Sequence, residues 1–368
     1  MDKSAYTSRN VGDFPETLDF AGRTYEKVED LRYGTNPHQP AAFYRPAGLK
    51  TPIGHMEILK SGKNGLSQTN LEDISYSINI VKFFDSPACA VMKHVNPSGA
   101  AVTRSGDSLK DVYVKARDCD PRAAFGSVVT FNVELDAETA DAIMSTFVEC
   151  VVAPGFSDDA MAILNEGEQR KLNKSIRVIK CGDPKSLPRF SGEESDTHNT
   201  VKVLADGCLV VAAPLTTKLR SVADLKPAQG DSKKAGSHES EVSATPEQLE
   251  DLLAAWWINL NVRSNGVVIV KNGQTLAVGT GEQDRVGAVE QAIMKHKEKF
   301  EGPATLENAV MSSDGFFPFP DAVEVAAEAG VKAIVSPAGS LRDAEVVKRA
   351  NELGVALYHA PERIFSHH

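Results

Sequence analysis

Apolar residues along the chain follow helical spacing in some stretches and form short continuous runs in others. Helical spacing is clearest in Leu71, Ile74, Ile78 and Val81. The apolar runs at 88–92 and 127–131 are typical of buried strands. Between them lies a helical stretch at 109–116, and Asp136 is placed to cap a further helix that continues through Met144. Helices and strands that alternate at short intervals predict an α/β layered fold with a largely parallel sheet.

This alternation stops in the middle of the chain and then resumes. From about 182 to 245 apolar runs are few, and the stretch 226–243 has the composition of a solvated loop or linker. A helix is predicted to begin at Pro246, and Asn272-Gly273 predicts the turn of a β-hairpin. Further helices are predicted at 286–299, 322–329 and 342–353, and strands near Val310, at 333–335 and at 356–358. These patterns divide the chain into an N-terminal extension (1–24), a first α/β subdomain (25–190), an irregular connection (191–245) and a second α/β subdomain (246–368).

The composition changes this picture mainly by excluding functions. Forty Lys and Arg against 50 Asp and Glu give the 368 residues a net charge of −10, which disfavours a surface that coats nucleic acid. The opening residues are polar, and no apolar run reaches the ~18 residues of a membrane span, so we expect neither secretion nor membrane insertion. The 5 scattered cysteines, without a Cys-x-x-Cys pair, indicate buried reduced thiols in a cytoplasmic protein rather than a disulfide framework or a zinc site.

Two segments carry the most chemical functionality. Arg32 is suited to fork onto a phosphate or carboxylate and Tyr33 to stack on a ring; a polar loop capped by its own side chains is the structural alternative. Lys93 and His94 follow an apolar strand, and a Pro-Ser-Gly turn after them is predicted to open a helix of small residues. A neutral imidazole there accepts a proton and the ammonium beside it stabilises an oxyanion. The alternative is a histidine satisfied by backbone carbonyls and a lysine that extends into solvent.

Four further segments offer binding groups, each with a structural alternative. Phe125 and Gly126 provide an apolar wall and a close backbone approach, or simply a buried turn. The glycines at 279–281, before a predicted helix, provide an anion site or an ordinary capping loop. The aromatic stretch 316–319 and the carboxylate after it form a surface for a flat heterocycle, or fill the core. The tail at 363–368 docks its Ile-Phe pair or frays.

Taken together, these segments resemble one known family. The motifs are Leu-Arg-Tyr-Gly-x-Asn-Pro-His-Gln, Lys-His-Val-Asn-Pro-Ser-Gly-Ala-Ala, Ala-Phe-Gly, Ser-Asn, Gly-x-Gly-x-Gln-x-Arg, Ser-Asp-x-Phe-Phe-Pro-Phe-x-Asp and the terminal Arg-x-Phe-x-His. From about Phe14 to His367, in consistent order, the chain is similar to the formyltransferase part of the bifunctional purine-biosynthesis proteins.

The resemblance implies a reaction, a fold and an assembly. The family moves a formyl group from 10-formyltetrahydrofolate to the 5-amino group of 5-aminoimidazole-4-carboxamide ribonucleotide (AICAR), which gives FAICAR and tetrahydrofolate in IMP biosynthesis. Its fold implies two cytidine-deaminase-like layered subdomains in tandem, and its homodimer builds active sites across the interface. Because the Arg-Tyr-Gly motif begins at residue 32, we expect no inosinate cyclohydrolase domain and ring closure by a separate enzyme.

The resemblance also implies roles for individual residues. Lys93 and His94 match the catalytic pair, with His94 taking the amine proton, while Lys93 and Asn265 stabilise the oxyanion and the departing folate nitrogen. The implied nucleotide-binding positions are Arg32, Tyr33, Gly126, Glu149, Arg363, Phe365 and His367. The implied folate-binding positions are Phe125, Arg285, Phe316, Pro318 and Asp321. No metal ligand is implied, and a monovalent cation beside the tail stays open.

Some positions depart from the family pattern. Glu149 replaces the Asp of some members and reaches one methylene further, and His367 and His368 both compete for the place of the terminal histidine. Two other functions compete with formyl transfer from folate. A catalytically silent nucleotide sensor is disfavoured by the intact Lys93, His94 and Asn265, and transfer from formate and ATP is disfavoured because no triphosphate loop is present.

Overall fold

The computed structural model describes residues 9–62, 64–166, 171–233 and 235–367. The chain divides into two compact units. Unit 1 comprises the chain up to Arg117 together with Pro121–Leu187, and unit 2 comprises Asp118–Asp120 and the chain from Pro188 onward. The subdomain boundaries drawn from the sequence stay predictions. The first eight residues of the predicted N-terminal extension, Lys234 of the predicted loop, and His368 lie outside the described residues.

Unit 1 contains a small sheet and a larger one. Its strands are β1 (Thr17–Phe20), β2 (Arg23–Asp30), β3 (Ala42–Pro46), β4 (Glu57–Lys60), β5 (Ala88–Lys93), β6 (Asn96–Val102), β7 (Ser127–Phe131), β8 (Val148–Ala153) and β9 (Arg177–Lys180), and its helices are α1 (Gln68–Val81), α2 (Leu109–Asp118), α3 (Pro121–Ala124), α4 (Ala137–Met144) and α5 (Asp158–Asn165). Strands β1–β3 form an antiparallel sheet, and the larger sheet has the order β6-β5-β7-β8-β9-β4. Strand β5 is antiparallel to both β6 and β7, whereas β7–β8 and β8–β9 are parallel.

Unit 2 has the same kind of larger sheet. Its strands are β10 (Thr200–Val203), β11 (Leu209–Ala212), β12 (Lys226–Pro227), β13 (Gln229–Ser232), β14 (Gly236–Glu239), β15 (Val267–Lys271), β16 (Gln274–Gly279), β17 (Val310–Ser313), β18 (Ala333–Pro337) and β19 (Ala356–Ala360), and its helices are α6 (Pro246–Asn259), α7 (Arg285–Lys299), α8 (Asp321–Glu328) and α9 (Asp343–Glu352). The sheet order is β12-β19-β18-β17-β15-β16. Here β15 is antiparallel to β16 and β17, while β17–β18 and β18–β19 are parallel.

The two units repeat one arrangement of elements. In each unit the repeated arrangement starts with a 14-residue helix, α1 or α6, that opens on a capping box, with Ser67 as the N-cap of α1 and Thr245 as the N-cap of α6. Each helix is followed by an antiparallel hairpin, β5–β6 or β15–β16. The next strand, β7 or β17, pairs antiparallel with the first strand of the hairpin, and the strands after it are parallel. Helix α1 packs on β5 and β7, and α6 packs on β15 and β17. The internal repeat therefore allows equivalent positions in the two units to be compared directly.

Apolar periodicity explains why these helices lie on their sheets. In α1, Ile74 and Ile78 are fully buried, one helical turn apart, as the spacing predicted. Helix α6 buries Trp256, whose indole N–H donates to Thr217 Oγ1 at 2.9 Å. Complete burial of side chains of this size stabilises the fold by about 1.5–3 kcal/mol each. Helix α4 begins after Asp136, whose side chain accepts from Thr139 N, and this cap is confirmed.

Three expectations about local structure are wrong. The sheets are mixed rather than largely parallel, because each hairpin contributes antiparallel pairs that need only a two-residue turn. The small residues after Pro97 form β6, not a helix, because pairing with β5 overrides their local preference. The stretch 226–243 contains β12–β14 instead of a solvated loop; Ala228 is fully buried there and its N–H donates to Leu357 O at 2.9 Å.

The cysteine prediction is partly confirmed. Cys89, Cys119, Cys150 and Cys181 are buried free thiols. Cys208 is exposed instead, and its Sγ lies 3.4 Å from an oxygen of Asp206. It lies on the turn between β10 and β11, where the surrounding residues are exposed too. Within the described ranges, no helix combines the length and the apolar character needed to cross a bilayer.

Candidate functional site

The turn between β5 and β6 carries the predicted catalytic histidine. Because β5 ends at Lys93 and β6 begins at Asn96, His94 and Val95 are the two residues of a tight hairpin turn. Both have positive φ, 55° and 61°. Such turns favour Asn-Gly, and a β-branched residue at positive φ is an outlier. The turn nevertheless exposes the His94 side chain to solvent at the end of a buried strand.

A buried carboxylate holds this turn from beneath. Asp73, on α1, accepts the Val95 N–H at 2.7 Å through Oδ1, and the N–H of His94 also stabilises the ionised carboxylate. The side chain is only 7% exposed. Burial raises the pKa of Asp73 to about 6, while the two amide donors and the charge of His94 act in the opposite direction. The helix thus fixes the backbone on which His94 sits.

Lys93 belongs to a second set of contacts next to this turn. Its ammonium donates to the carbonyl oxygen of Phe125 at 2.5 Å. Gly126 follows with φ +77°, and a Cβ there would lie 3.2 Å from the Phe147 ring and 3.8 Å from the Lys93 ammonium. The Phe125 ring is 56% exposed and lies 5.0 Å from Phe147. The structure therefore brings Lys93, Phe125 and Gly126 together, as a positive charge beside an exposed ring and a bare backbone.

The predicted nucleotide-binding positions Arg32, Tyr33 and Glu149 of unit 1 lie in a positively charged cluster. Arg32 is buried, and its Nη2 donates to Tyr33 Oη at 3.0 Å. Burial lowers the pKa of Arg32, and the charge of Arg177 lowers it further. Glu149 Oε2 accepts from Asn70 Nδ2 at 3.1 Å and lies 3.7 Å from Arg177 Nη1. Two guanidinium groups near one partly exposed carboxylate leave a net positive charge, which suits an anionic ligand.

In unit 2, Asn265 is held at both ends of its amide. Its Nδ2 donates to the carbonyl of Glu282 at 2.9 Å, and its Oδ1 accepts from Arg285 Nη2 at 2.7 Å. Arg285 is itself ion-paired with Asp314, which is completely buried. The two hydrogen bonds of Asn265 determine which end of its amide is the oxygen, so the amide cannot flip without losing both of them. One of the two Nδ2 hydrogens remains for another acceptor.

The tail of the chain packs around the same arginine. The Phe365 ring lies 5.8 Å from the Arg285 guanidinium carbon and 4.3 Å from that of Arg363, and His367 meets it edge-on at 6.1 Å. Gly315 makes this approach possible, because a Cβ there would lie 2.5 Å from Arg285 Nη2 and 2.6 Å from Phe365. The structure therefore groups Asn265, Arg285, Phe365 and His367, and the tail is docked rather than frayed.

The remaining predicted folate positions lie on the connection between β17 and α8. Phe316 is 37% exposed, whereas its neighbour Phe317 is 2% exposed and packs in the core of unit 2. Pro318 is half-buried, and Asp321 is exposed as the first residue of α8. The expected aromatic surface is therefore divided: Phe317 fills the core and Phe316 faces outward. Within the described part of the chain, no group of three or more His, Cys, Asp and Glu side chains is placed to hold a metal ion.

Sequence reasoning missed several residues that organise these groups, namely Asn70, Asp73, Arg177 and Asp314. The first two had a recognisable signal. They lie on the face of α1 that Ile74 and Ile78 bury, and buried polar positions on an apolar helix face call for a specific partner. Arg177 and Asp314 gave no such signal, because their partners are distant in sequence: Arg177 Nε donates to a carbonyl 112 residues away.

Comparison with known proteins places the chain in a family. Residues 3–295 match the sequence profile described as AICARFT/IMPCHase bienzyme. The bifunctional purine biosynthesis protein PurH of Ruminiclostridium cellulolyticum is 37% identical over 355 residues, which cover 96% of this chain and 62% of the relative. PurH of Desulfitobacterium hafniense is 37% identical over 360 residues, with 98% and 62% covered, and PurH of Oceanobacillus iheyensis is 36% identical over 366 residues, with 98% and 63% covered.

These relatives are longer than the chain, which spans a little over three fifths of their length. The similarity extends over nearly all of the chain itself. The chain therefore belongs to the AICARFT/IMPCHase bienzyme family of purine biosynthesis.

Proposed function

We propose that the chain transfers a formyl group from 10-formyltetrahydrofolate to the 5-amino group of AICAR, which gives FAICAR and tetrahydrofolate. The observation that supports this most directly is the turn at His94 and Val95, which places an exposed imidazole on a left-handed backbone directly after Lys93 in the chain. Unfavourable backbone conformations persist mainly where function requires them. Family membership supplies the chemistry that such an imidazole would serve.

In this reaction the amine nitrogen of AICAR attacks the formyl carbon while His94 takes the proton that the nitrogen loses. The carbonyl electrons move onto the oxygen, and the Lys93 ammonium and the Asn265 amide donate to that oxyanion. The oxyanion then re-forms its C=O bond, the bond from carbon to folate N10 breaks, and N10 takes a proton from the imidazolium. The amine is a weak nucleophile because its lone pair is delocalised toward the carboxamide, so base assistance and positioning supply the acceleration.

The proposed binding roles follow the two groups of side chains. Arg32, Tyr33, Gly126 and Glu149 serve the nucleotide, and the buried positive charge at Arg32 is suited to its phosphate. In the tail, Arg363, Phe365 and His367 serve the nucleotide too. The folate positions are Phe125, Arg285, Phe316, Pro318 and Asp321. The exposed rings of Phe125 and Phe316 support apolar contact with the pterin, whereas the Arg285 side chain already binds Asp314 and Asn265, so its contribution runs through Asn265.

A homodimer is part of the proposal, and the β10–β11 hairpin supports it. All eight strand residues of this hairpin are exposed, and several are large and apolar, with Val203 70% exposed. An isolated two-stranded hairpin is marginally stable in water, and exposed apolar patches of this kind mark interfaces. A second copy of the chain is the partner that the family resemblance implies. Sedimentation velocity of a Val203→Lys variant, compared with wild type, tests whether this hairpin holds the dimer.

The decisive experiment measures the release of tetrahydrofolate when AICAR and 10-formyltetrahydrofolate are mixed with the purified protein. His94→Ala is expected to lower kcat by at least about 10²-fold while AICAR still binds, as the loss of a general base predicts. A protein that binds AICAR without consuming formylfolate would instead be the nucleotide sensor. Formation of IMP in the same mixture would contradict the expectation that a separate cyclohydrolase closes the ring. The cytidine-deaminase-like layering and the cytoplasmic location stay predictions.

A further inference from the structure

The internal repeat gives the His94 turn an equivalent in unit 2. That equivalent is Asn272-Gly273, the turn between β15 and β16, where both residues also have positive φ, 51° and 71°. Asp251 on α6 accepts the N–H groups of both turn residues, at 2.6 and 2.8 Å. Asn-Gly is the sequence that such a turn favours. The unit 2 hairpin therefore has the same turn geometry as unit 1, with a sequence that favours it.

The two carboxylates occupy matching positions. Asp73 and Asp251 each follow the N-cap of their helix by the same interval, and each lies 22 residues before the second residue of the turn it holds. Both are buried, at 7% and 4% exposed. What differs is how readily the turn residues adopt positive φ. Unit 1 has a histidine and a β-branched valine, where unit 2 has the two residues best able to adopt this conformation.

Because of this difference, the hydrogen bonding of the aspartate to its turn has a different effect in each unit. In unit 2 the turn sequence already prefers the conformation, so Asp251 adds to stability without deciding the geometry. In unit 1 the β-branched Val95 opposes the conformation, and the hydrogen bond from the Val95 N–H to Asp73 is the contact that compensates. A turn that relaxed to negative φ would redirect the His94 side chain away from the direction it now takes.

We propose that Asp73 is a positioning residue for the formyl transfer: its carboxylate holds the left-handed His94-Val95 turn and thereby sets the place of the His94 imidazole. This inference rests on the proposed function, in which His94 is the general base. Asp73 does not touch the substrate in this account and acts only through the backbone of the turn.

The test compares Asp73→Asn with the matched variant Asp251→Asn. Both keep the size of the side chain, remove its charge and replace one of its two acceptor oxygens with an NH2 group, which cannot accept. Asp73→Asn is expected to lower kcat by at least about tenfold with less than about a threefold change in the KM for AICAR, because misplacement of a catalytic group costs rate before it costs binding. Asp251→Asn is expected to keep kcat within about twofold of wild type.

A third variant separates positioning from loss of the carboxylate itself. Adding Val95→Gly to Asp73→Asn removes the residue that opposes the turn, so at least about threefold of the lost kcat is expected to return. Failure of this rescue, wild-type kcat in Asp73→Asn, or an equal loss in Asp251→Asn would each overturn the inference.

Amide hydrogen exchange gives a readout that needs no turnover. Asp73→Asn is expected to speed exchange at His94 and Val95 by at least about tenfold, and Asp251→Asn to do so only at Asn272 and Gly273. Unchanged exchange at Val95 would overturn the inference even in an active enzyme. If the wild-type protein shows no formyl transfer, the proposed function fails on that result alone, while exchange still decides whether Asp73 holds the turn.

Discussion

The two units fix their site residues by different means. In unit 1 the polypeptide backbone does the positioning: His94 sits on a turn of unfavourable conformation that a buried carboxylate holds from α1. In unit 2 side chains do it: Asn265 is held by Arg285, which is held in turn by the buried Asp314. A backbone turn places a histidine at the tip of a strand, whereas a side-chain network fixes the orientation of an amide.

The difference follows from what each group is proposed to do. A general base must have an exposed ring nitrogen that can take a proton from the substrate and later give it up, so its side chain cannot be enclosed by partners. An oxyanion donor needs a fixed direction, and the rigid bonds at both ends of the Asn265 amide supply that direction. At His94 the distinguishing feature is a turn whose residues disfavour its conformation. At Asn265 it is the buried ion pair of Arg285 and Asp314.

The largest effect is expected from giving unit 1 the turn of unit 2. His94→Asn with Val95→Gly is expected to lower kcat by about 10²- to 10⁴-fold, because the general base is lost. The same double variant is expected to raise the free energy of unfolding by about 1 kcal/mol, since glycine removes the cost of a left-handed valine. Steady-state kinetics and urea denaturation measure the two quantities. A variant that loses both activity and stability would show that the positive φ of Val95 does not cost the wild-type turn free energy.

The reverse exchange is the matched control. Asn272→His with Gly273→Val installs the unfavourable pair on the unit 2 turn, where Asp251 still accepts both amides. Stability is expected to fall by about 2 kcal/mol, while kcat stays within about twofold of wild type. A large loss of kcat here would mean that the turn sequence acts on the whole fold rather than on His94.

The next effect concerns the ion pair of unit 2. Arg285→Gln leaves Asp314 buried without its positive partner, so the free energy of unfolding is expected to fall by about 3–5 kcal/mol. Because Asn265 Oδ1 also loses its guanidinium donor, kcat is expected to fall by at least about tenfold. Urea denaturation and steady-state assays check both expectations.

An exposed arginine provides the comparison for this variant. Arg349 pairs with Glu324 at 2.7 Å, and both side chains are about two-fifths exposed. Arg349→Gln is expected to leave the free energy of unfolding close to that of wild type, because solvent already screens the pair. Equal losses in Arg285→Gln and Arg349→Gln would show that burial of Asp314 does not control the strength of the unit 2 contact.

Sequence patterns predicted the regular elements well where one local rule decided the outcome. The three- and four-residue spacing that ends at Val81 located α1, and Asn272-Gly273 located the unit 2 hairpin. The equivalent hairpin in unit 1 was missed because His94 and Val95 are residues that a tight turn disfavours. The glycine that follows Pro97 suggested a turn a few residues too late, where the chain in fact continues as β6.

The supporting residues of the site could be predicted less well than the residues with evident chemistry. Motifs named Lys93, His94 and Asn265, and the structure places the first two at the end of a buried strand. Asp73 was not identified because its partner, the Val95 N–H, lies 22 residues away on the turn of a hairpin that the sequence analysis did not predict. Long-range hydrogen bonds depend on the register of strands, and register is a property of the folded chain rather than of any local segment.

A pH-dependent effect tests the cost of the carboxylate that holds the unit 1 turn. The pKa of Asp73 is raised from 3.8 to about 6, because burial disfavours its ionised form. A raised pKa contributes stability at low pH that is lost as the pH rises through the higher value. The free energy of unfolding of wild type relative to Asp73→Asn is therefore expected to fall by about 2 kcal/mol between pH ~4.5 and ~7.

Urea denaturation of both proteins across this range measures that difference, in which the other titrating groups cancel. A constant difference would show that Asp73 titrates normally and that burial in α1 does not penalise its charge. A falling difference would show that unit 1 keeps an ionised carboxylate at neutral pH at the expense of stability. An ionised carboxylate is a stronger acceptor for the Val95 N–H than a neutral carboxyl group, and this hydrogen bond holds the left-handed turn.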